Sequence, residues 1–382
     1  MELLVGLDTI SDGDGGRVGG KAVALAALQR TGHPVPRSLC LTTGAYELFV
    51  ERASLRAVIH QELGRKSFED MRWEEIWDVA LRIRNRFLRA PVPSEVVDAV
   101  NTQLTGHLSE VALAVRSSAP GEDSEGASFA GLHESFVGVR KVPAVIDAIR
   151  GVWASLWSDR ALLYRRELGI DVDTSSMAVV IQELIVGTVS GIAFGVHPTD
   201  PELAVVESVY GLNQGLVDGT IEPDRWTVDR ATGRTVSHTE PSGRRRLVAR
   251  GSETRVEQVP IVLANRPPLD EADLTRVVDA ARAAENLFGS PQDVEWTIAD
   301  GRLVLLQSRP VTTSTADEGD KRAWYLSLTR SIDNLRVLRE RVESELLPEM
   351  DREADEVAER DLAVLDAEGL ADEIERRRAI HD

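Results

Sequence analysis

Two apolar runs in the last third of the sequence, Asp293–Ile298 and Leu303–Gln307, flank the turn sequence Ala299-Asp300-Gly301. An Asp-Gly pair between two strand-like runs is a strong signal of a β-hairpin, because both residues tolerate the positive φ of a tight turn. The hairpin constrains the fold, since its strands must lie antiparallel in a sheet that other elements cover.

In the rest of the chain, the spacing of the apolar residues separates predicted helices from predicted strands. A period near 3.6 predicts helices over Lys21–Gln29, 46–64, 73–90, 93–105, Ala144–Glu167 and Asp270–Phe288. Short apolar runs predict strands over Val111–Val115, Ser135–Val139, Met177–Ile185, Gly191–Val196, Leu203–Ser208 and Arg225–Val228. The pattern predicts an α+β fold, with helices first and sheet-rich segments after about residue 175.

The charge balance limits the partners of the chain. Its 382 residues carry 44 Lys and Arg against 63 Asp and Glu, a net charge of −19. Such a chain does not attract nucleic acid or anionic membranes over long distances. We therefore expect neither as a partner, and a polyanion such as a nucleotide would need a few placed cations and a metal ion.

The cysteine content and the hydropathy of the chain exclude further classes of protein. Cys40 is the single cysteine, which excludes an internal disulfide framework and a cysteine-built zinc site. No run of 18 apolar residues occurs, and Met1–Asp14 lacks the features of a signal peptide. We expect a reducing compartment and a cytoplasmic protein.

The amino-acid composition changes at Ser314, where the sequence STADEGDK, made mostly of small and polar residues, begins. A charged tract follows to Asp382, and it contains an apolar stripe at helical spacing: Leu335, Leu338, Val342 and Leu346. We expect residues 314–382 to form a helical linker or the start of a further domain.

Two early segments suit anion binding. Gly19-Gly20-Lys21 opens a predicted helix, where backbone N–H groups and a lysine can meet an anion. Taken alone, the pattern favours an ordinary helix N-terminus with a solvated lysine. Arg116 leaves a predicted strand into a loop of hydroxyls and glycines that continues to Ser128–Gly131. Its planar guanidinium suits phosphate; the alternative is an ion pair with a nearby acid such as Glu122.

Three later segments are also candidates. Gln182–Ile185 ends a strand and can offer main-chain groups to a purine edge, and Glu207–Gly215 is rich in glycine. In the hairpin, alternation places Asp293 and Glu295 on one strand face, with Gln307 and Arg309 beside them. Carboxylate, amide and guanidinium groups there suit Mg²⁺ and phosphate; a cross-strand ion pair is the alternative.

The order of these segments resembles one family. The sequences GGKAVALAALQRTGHPVP, VRSSAPGED…SFAG, VWASLWSDRALLYR, GLNQGLVDGTIEPD and PQDVEWTI…LLQSRPVTT are similar to the nucleotide-binding domain of pyruvate phosphate dikinase, phosphoenolpyruvate synthase and rifampin phosphotransferase. The resemblance covers residues 1–313. It implies an ATP-grasp fold with ATP between two α/β lobes, residues 1–185 and 186–313.

The resemblance also implies a role for each polar group. Lys21 would contact the nucleotide phosphates, Arg116 would stabilise the transferring phosphoryl group, and Arg309 would bind phosphate. The other nucleotide contacts would come from a phosphate-covering loop, Ser128, Phe129, Ala130 and Gly131, and from an adenine-binding hinge, Gln182, Glu183, Leu184 and Ile185.

Its metal would be Mg²⁺, held by Glu295 and Gln307 and supported by Asp293. The implied reaction converts ATP to AMP and inorganic phosphate, and the phosphoryl group passes to a histidine on a separate domain and then to an acceptor such as pyruvate or an antibiotic. Because Gly211-Leu212-Asn213-Gln214 stands where the family usually has GLGE, a carboxylate is lost there.

None of the 7 histidines lies in the family's glycine-rich phosphocarrier motif. Ser237-His238 shares only the Ser-His pair with that motif, and we expect it to lie in a turn. We therefore expect a phosphocarrier histidine domain in the same longer protein or in a separate subunit. Two alternatives remain: a stand-alone ATP-grasp ligase that forms ADP, and a nucleotide-sensing scaffold without turnover.

Overall fold

The computed structural model describes residues 2–108, 111–121, 123–124, 127–128, 133–167, 175–197, 200–250 and 253–311, with single positions between 339 and 373. The chain forms two compact units, Met1–Asp320 and Lys321–Asp382. The helical segment expected after residue 314 lies outside the described residues, except at those single positions. Over the described ranges, no helix combines the length and the apolar character needed to cross a bilayer.

The α-helices of the larger unit lie mostly in its first part. Their bounds are α1 Gly15–Arg30, α2 Thr43–Arg52, α3 Leu55–Leu63, α4 Trp73–Arg89, α5 Ser94–His107, α6 Val142–Ser155, α7 Asp159–Glu167, α8 Gln214–Val217, α9 Ile261–Ala264 and α10 Glu271–Phe288. In α4 the buried residues follow the helical period, and they are Ile76, Val79, Ala80, Ile83 and Phe87. The apolar face of each such helix covers a sheet or another helix.

The strands follow in chain order. They are β1 Leu4–Gly6, β2 Ser38–Leu41, β3 Leu113–Ser118, β4 Asp123–Ser124, β5 Ala127–Ser128, β6 Ser135–Val139, β7 Ala178–Glu183, β8 Val189–Phe194, β9 Leu203–Gly211, β10 Asp224–Asp229, β11 Thr235–Thr239, β12 Arg245–Arg250, β13 Glu253–Gln258, β14 Gln292–Ala299 and β15 Arg302–Pro310. Together with the helices they give the expected α+β class.

The first sheet has the order β1-β2-β7-β3-β6, and all its neighbouring strands are antiparallel. One large apolar core joins it to the helices, with Phe49, Phe87, Trp153 and Trp157 among its buried side chains. Strand β7 is buried on both faces over most of its length, so its sequence is a continuous apolar run rather than an alternating one.

The second sheet has the order β11-β10-β9-β8-β14-β15, and β12 joins it through a parallel pairing with β9. Helix α10 packs on this sheet, where Val277, Ala281 and Ala284 lie in the same apolar core as Trp296. Gly289 ends α10 in the left-handed conformation, the role that glycine commonly has after a helix.

The two sheets meet along β15. The main-chain N–H of Leu305 donates to the oxygen of Pro34 across 2.9 Å, and α1 also contacts β15. The Gln182 Nε2 of β7 donates to the oxygen of Leu306 across 3.3 Å. These contacts bring the ends of β3 and β7 beside the β14–β15 hairpin.

The sequence prediction of one helix over Ala144–Glu167 was wrong. The segment forms two helices, α6 and α7, separated at Leu156–Ser158. The Ser158 hydroxyl accepts the N–H of Ala161 across 3.2 Å and so caps the second helix. The predicted helix 46–64 is likewise divided, because Ser54 adopts a positive φ of 53° between α2 and α3.

His238 also differs from its expected position in a turn. It lies within β11, its Nε2 is 2.9 Å from Asp224 Oδ1, and its ring stacks on Trp226 with the centroids 4.4 Å apart. Arg244 forms an ion pair with the same carboxylate at 2.6 Å. His238 is therefore part of a structural cluster in the second sheet.

Candidate functional site

The β14–β15 hairpin carries four polar side chains on paired positions. Asp293 lies opposite Arg309, and Glu295 lies opposite Gln307. All four residues are buried. The turn at Asp300 and Gly301 has positive φ at both residues, as the Asp-Gly sequence predicted, and it sets the pairs from Ala299–Arg302 to Trp296–Leu305. A register shift between Glu295 and Trp296 then aligns Glu295 with Gln307 and Asp293 with Arg309. The predicted juxtaposition of the four groups is therefore present.

Asp293 and Arg309 form a buried ion pair. Arg309 Nε and Nη2 donate to Asp293 Oδ2 across 2.9 and 2.5 Å. Burial raises the pKa of Asp293 above its ordinary value, the Arg309 charge opposes that rise, and the Glu295 charge adds to it. The pair holds the Arg309 guanidinium in place beside Glu295.

Glu295 is the centre of a group of side chains from both sheets. Arg116 Nη1 of β3 donates to Glu295 Oε2 across 3.1 Å and lies 3.4 Å from Gln307 Oε1. Asn213 Nδ2 donates to the same carboxylate oxygen across 3.3 Å. The Arg116 side chain is 18% exposed and the Glu295 side chain 7%, so only the arginine reaches solvent appreciably.

Helix α1 is kinked at Gly19 and is held there by β3. Gly19 has φ 75° and ψ 166°, and a Cβ at this position would lie 2.0 Å from the oxygen of Ser118. The Ser118 hydroxyl donates to the oxygen of Val18 across 2.7 Å and accepts the N–H of Ala22. Lys21, half-buried and two residues past the kink, is thus attached to the strand that carries Arg116.

The predicted phosphate-covering loop is only partly described. The backbone of Ser128 lies in β5 and pairs with Asp123 of β4, and β4 contacts both α1 and β15. This short hairpin is therefore close to the elements that carry the charged groups. Phe129, Ala130 and Gly131 lie outside the described residues.

The residues of the predicted adenine-binding hinge differ in their burial and in their hydrogen-bond partners. Gln182 is buried and its amide bridges the two sheets, while Glu183 accepts a hydrogen bond from Arg37 Nε at 2.8 Å. The N–H groups of Glu183 and Leu184 donate to Arg37 and Ala112. Ile185 is half-buried. A purine edge at this segment would therefore have to use other main-chain atoms.

Asn213 is the residue that the sequence reasoning did not name as a site residue. The glycine-rich segment around it was singled out, but its spacing does not show which side chain faces the hairpin. Leu212 N–H donates to the oxygen of Leu247 across 2.9 Å, and Gly211 has a φ of 82°. This turn against β12 directs Asn213 toward Glu295.

The donors of the site suit a hard divalent cation. Glu295 and Gln307 present carboxylate and amide oxygens, and Asn213 Oδ1 is a buried oxygen without a hydrogen-bond partner among the described residues. Over the same residues, no cluster of three His, Cys, Asp or Glu side chains surrounds a metal position. The set therefore fits Mg²⁺ only with oxygens from amides, water and a bound phosphate.

Comparison with known protein families identifies the family of this chain. Residues 16–327 match the family described as pyruvate phosphate dikinase, AMP/ATP-binding domain. The chain therefore belongs to this family, and the resemblance found in the sequence is confirmed.

The curated relatives described next are named phosphoenolpyruvate synthase or rifampicin phosphotransferase. A probable phosphoenolpyruvate synthase of Methanothermobacter thermautotrophicus is 33% identical over 78% of this chain and 44% of its own length. Rifampicin phosphotransferases of a Streptomyces species and of Streptomyces sviceus are 35% and 36% identical over 81% and 78% of this chain, and over 36% and 34% of their own lengths. The chain spans less than half the length of these relatives.

Among solved structures, a D-alanine–D-alanine ligase of Bacillus anthracis aligns with 84% of this chain and 68% of its own length, at 11% identity and a TM-score of 0.30.

Proposed function

We propose that this chain is the ATP-binding, phosphoryl-donating module of a dikinase-type phosphotransferase. ATP lies between the lobes of an ATP-grasp fold, residues 1–185 and 186–313, and ATP and one water molecule together yield AMP and inorganic phosphate, the water taking the γ-phosphoryl group. The β-phosphoryl group passes to a histidine on a separate phosphocarrier domain and then to an acceptor such as pyruvate or an antibiotic. A cytoplasmic location, where ATP is available, is part of the same proposal.

One observation carries the proposal: Arg116 from the first sheet meets Glu295 and Gln307 from the second. A guanidinium, a carboxylate and an amide oxygen at the junction of two sheets suit a polyphosphate and its cation. The family match and the names of the relatives support the same class of ligand and reaction.

In this proposal the cations of the chain bind the phosphates. Lys21 and Arg309 neutralise phosphate oxygens, and Arg116 stabilises the transferring phosphoryl group. Because Arg116 is paired with Glu295 in the free protein, a nucleotide anion competes for the guanidinium and releases the carboxylate. Positioning and charge neutralisation supply most of the catalysis of phosphoryl transfer.

The remaining residues position the nucleotide. Glu295 and Gln307 hold Mg²⁺, which neutralises phosphate charge when it is bound. Asp293 keeps Arg309 in place through their ion pair. The loop Ser128–Gly131 covers the phosphates, and the segment Gln182–Ile185 receives the adenine.

The phosphoryl acceptor is a histidine on a separate phosphocarrier domain. His238 is engaged by Asp224 and stacked on Trp226, and neither of these residues belongs to the group around Glu295. A swinging carrier domain accounts for how the phosphoryl group leaves the site.

Product analysis tests the proposal. The chain is incubated with Mg²⁺ and ATP labelled at the β or γ position, with and without a phosphocarrier histidine domain supplied in trans. We expect slow hydrolysis without that domain, and AMP, γ-labelled inorganic phosphate and a β-labelled histidine with it. Arg116→Ala should abolish transfer, whereas Arg86→Ala, an exposed arginine on α4, should not.

Two results would contradict this function. Formation of ADP with rapid phosphorylation of a small acceptor by the chain alone would identify a stand-alone ligase or kinase. Binding of ATP with no turnover, even when the histidine domain is present, would identify a nucleotide sensor.

A further inference from the structure

Asn213 contacts the carboxylate at the centre of the candidate site. Its Nδ2 donates to Glu295 Oε2 across 3.3 Å, and the residue is only 5% exposed. Arg116 Nη1 donates to the same oxygen at 3.1 Å. The Asn213 amide is therefore within the group of side chains that faces the cation position.

The other end of this amide lacks a partner. Asn213 Oδ1 is buried and accepts no hydrogen bond from any described residue, and Gln214 Oε1 beside it is in the same state. Leaving a buried amide oxygen unsatisfied costs about 1–3 kcal/mol. Such an atom, on a side chain that contacts the Glu295 carboxylate, is a group that a ligand would satisfy.

Asp293 and Glu295 are the two acidic residues of β14. Asp293 Oδ2 accepts two hydrogen bonds from Arg309, which leaves Glu295 as the carboxylate nearest to Gln307. Among the described residues, no set of three His, Cys, Asp or Glu side chains is arranged for a metal. Because Mg²⁺ and Mn²⁺ prefer six oxygen ligands, an additional amide oxygen is useful here.

We propose that Asn213 is an oxygen ligand of the divalent cation, through Oδ1, together with Glu295 and Gln307. The inference rests on the proposed function, since it concerns the same site. Without a cation the amide N–H donates a hydrogen bond to Glu295. A half-turn of the amide exchanges Nδ2 for Oδ1, so the same side chain serves the free and the cation-bound site.

The test is Mn²⁺ binding, measured by the EPR signal of free Mn²⁺ in the presence of a non-hydrolysable ATP analogue. Asn213→Ala should weaken Mn²⁺ binding about tenfold, at the low end of the losses seen around metal sites. Asn213→Asp should tighten it, because a second carboxylate joins Glu295. Asn101→Ala, an exposed asparagine on α5, is the matched control and should bind as the unmodified chain does.

Asn213→Asp separates a ligand from a structural group. Aspartate cannot donate to Glu295, so if Asn213 only supports that carboxylate, the aspartate variant would bind Mn²⁺ no better than the alanine variant, and the inference would be overturned. Should Asn213→Ala fail to fold, the direction of the change in Asn213→Asp decides alone.

A further variant distinguishes this inference from the proposed function. If Glu295→Gln weakens Mn²⁺ binding while both Asn213 variants bind normally, the inference fails and the metal site stands. If Glu295→Gln also binds normally, the metal role in the proposed function fails, and the inference fails with it.

Discussion

Arg116 shows how one side chain links the two sheets. It lies within β3 between the buried residues Val115 and Ser117 and forms an ion pair with Glu295, 179 positions later in the chain. A buried carboxylate is costly unless it is paired, so Glu295 depends on this arginine in the free protein. The same guanidinium is the candidate contact for the transferring phosphoryl group.

We expect Arg116→Lys to lower phosphoryl transfer about 100-fold while nucleotide affinity changes by no more than about threefold. Lysine keeps the charge but loses the planar fork that meets two oxygens at once. Single-turnover transfer to an added histidine domain and equilibrium binding of ATP measure the two effects. An unchanged transfer rate would remove Arg116 from the proposed mechanism.

Cys40 gives a second prediction at this scale. It is fully buried in β2, and burial raises the pKa of its thiol far above the ordinary value. Because the reactive thiolate is suppressed, a disulfide reagent at pH 8 should modify the native chain at least about a thousandfold more slowly than the unfolded chain. Rapid modification of the native chain would show that β2 opens locally.

At the scale of elements, the kink in α1 decides where the helix places its lysine. The conformation of Gly19 belongs to a region that only glycine occupies readily. The kink brings Val18 and Ala22 onto the Ser118 hydroxyl at the end of β3. Helix and strand are therefore locked together through two hydrogen bonds, and Lys21 follows directly.

We expect Gly19→Ala to lower the free energy of unfolding by about 3 kcal/mol. Its Cβ would clash with the Ser118 carbonyl, and its φ would be strained. Gly16→Ala is the matched control, because a Cβ there has no atom within 4 Å and the residue has no positive φ. Urea unfolding of both variants measures the difference, and equal stabilities would mean that the kink is not required.

At the scale of the whole molecule, the β14–β15 hairpin and α1 hold the first and second sheets together. The contacts from β15 to Pro34 and Gln182 are within the unit Met1–Asp320. A ligand that touches Arg116 and Arg309 together contacts both sheets. Its binding should therefore stabilise the unit as a whole.

We expect Mg²⁺ and ATP together to stabilise the chain by about 2.7 kcal/mol when the ligand is at one hundred times its Kd. ATP without Mg²⁺ should stabilise it much less, because Glu295 then repels the phosphates. Thermal unfolding with and without EDTA measures both effects. Equal shifts in the two conditions, or an undiminished Mg²⁺ effect in Glu295→Gln, would contradict the metal role.

A second prediction at this scale concerns the charged C-terminal tract. The last described contact of the larger unit is Val311 N–H to the oxygen of Pro291 at 2.8 Å, so a chain that ends at Thr313 keeps it. We expect such a chain to fold and to bind ATP with unchanged affinity, as calorimetric titration will show. A folded chain without affinity would place residues 314–382 in the site.

The sequence by itself determined the α+β class, most of the helices and strands, and the position of the turn in the β14–β15 hairpin. These features depend on the apolar period and on turn chemistry, which act over a few residues. Alternation along β14 places Asp293 and Glu295 on one face, so this part of the site was predictable. The register shift between Glu295 and Trp296, which aligns these acids with Arg309 and Gln307, was not.

Only the tertiary structure decided what approaches that hairpin. The break at Ser158 depends on a cap and on packing around Trp153 and Trp157, which the amphipathic pattern does not show. The contacts of Arg116 and Asn213 with Glu295 join segments 179 and 82 residues apart. Such contacts depend on how two sheets close on each other, and no local pattern records that closure.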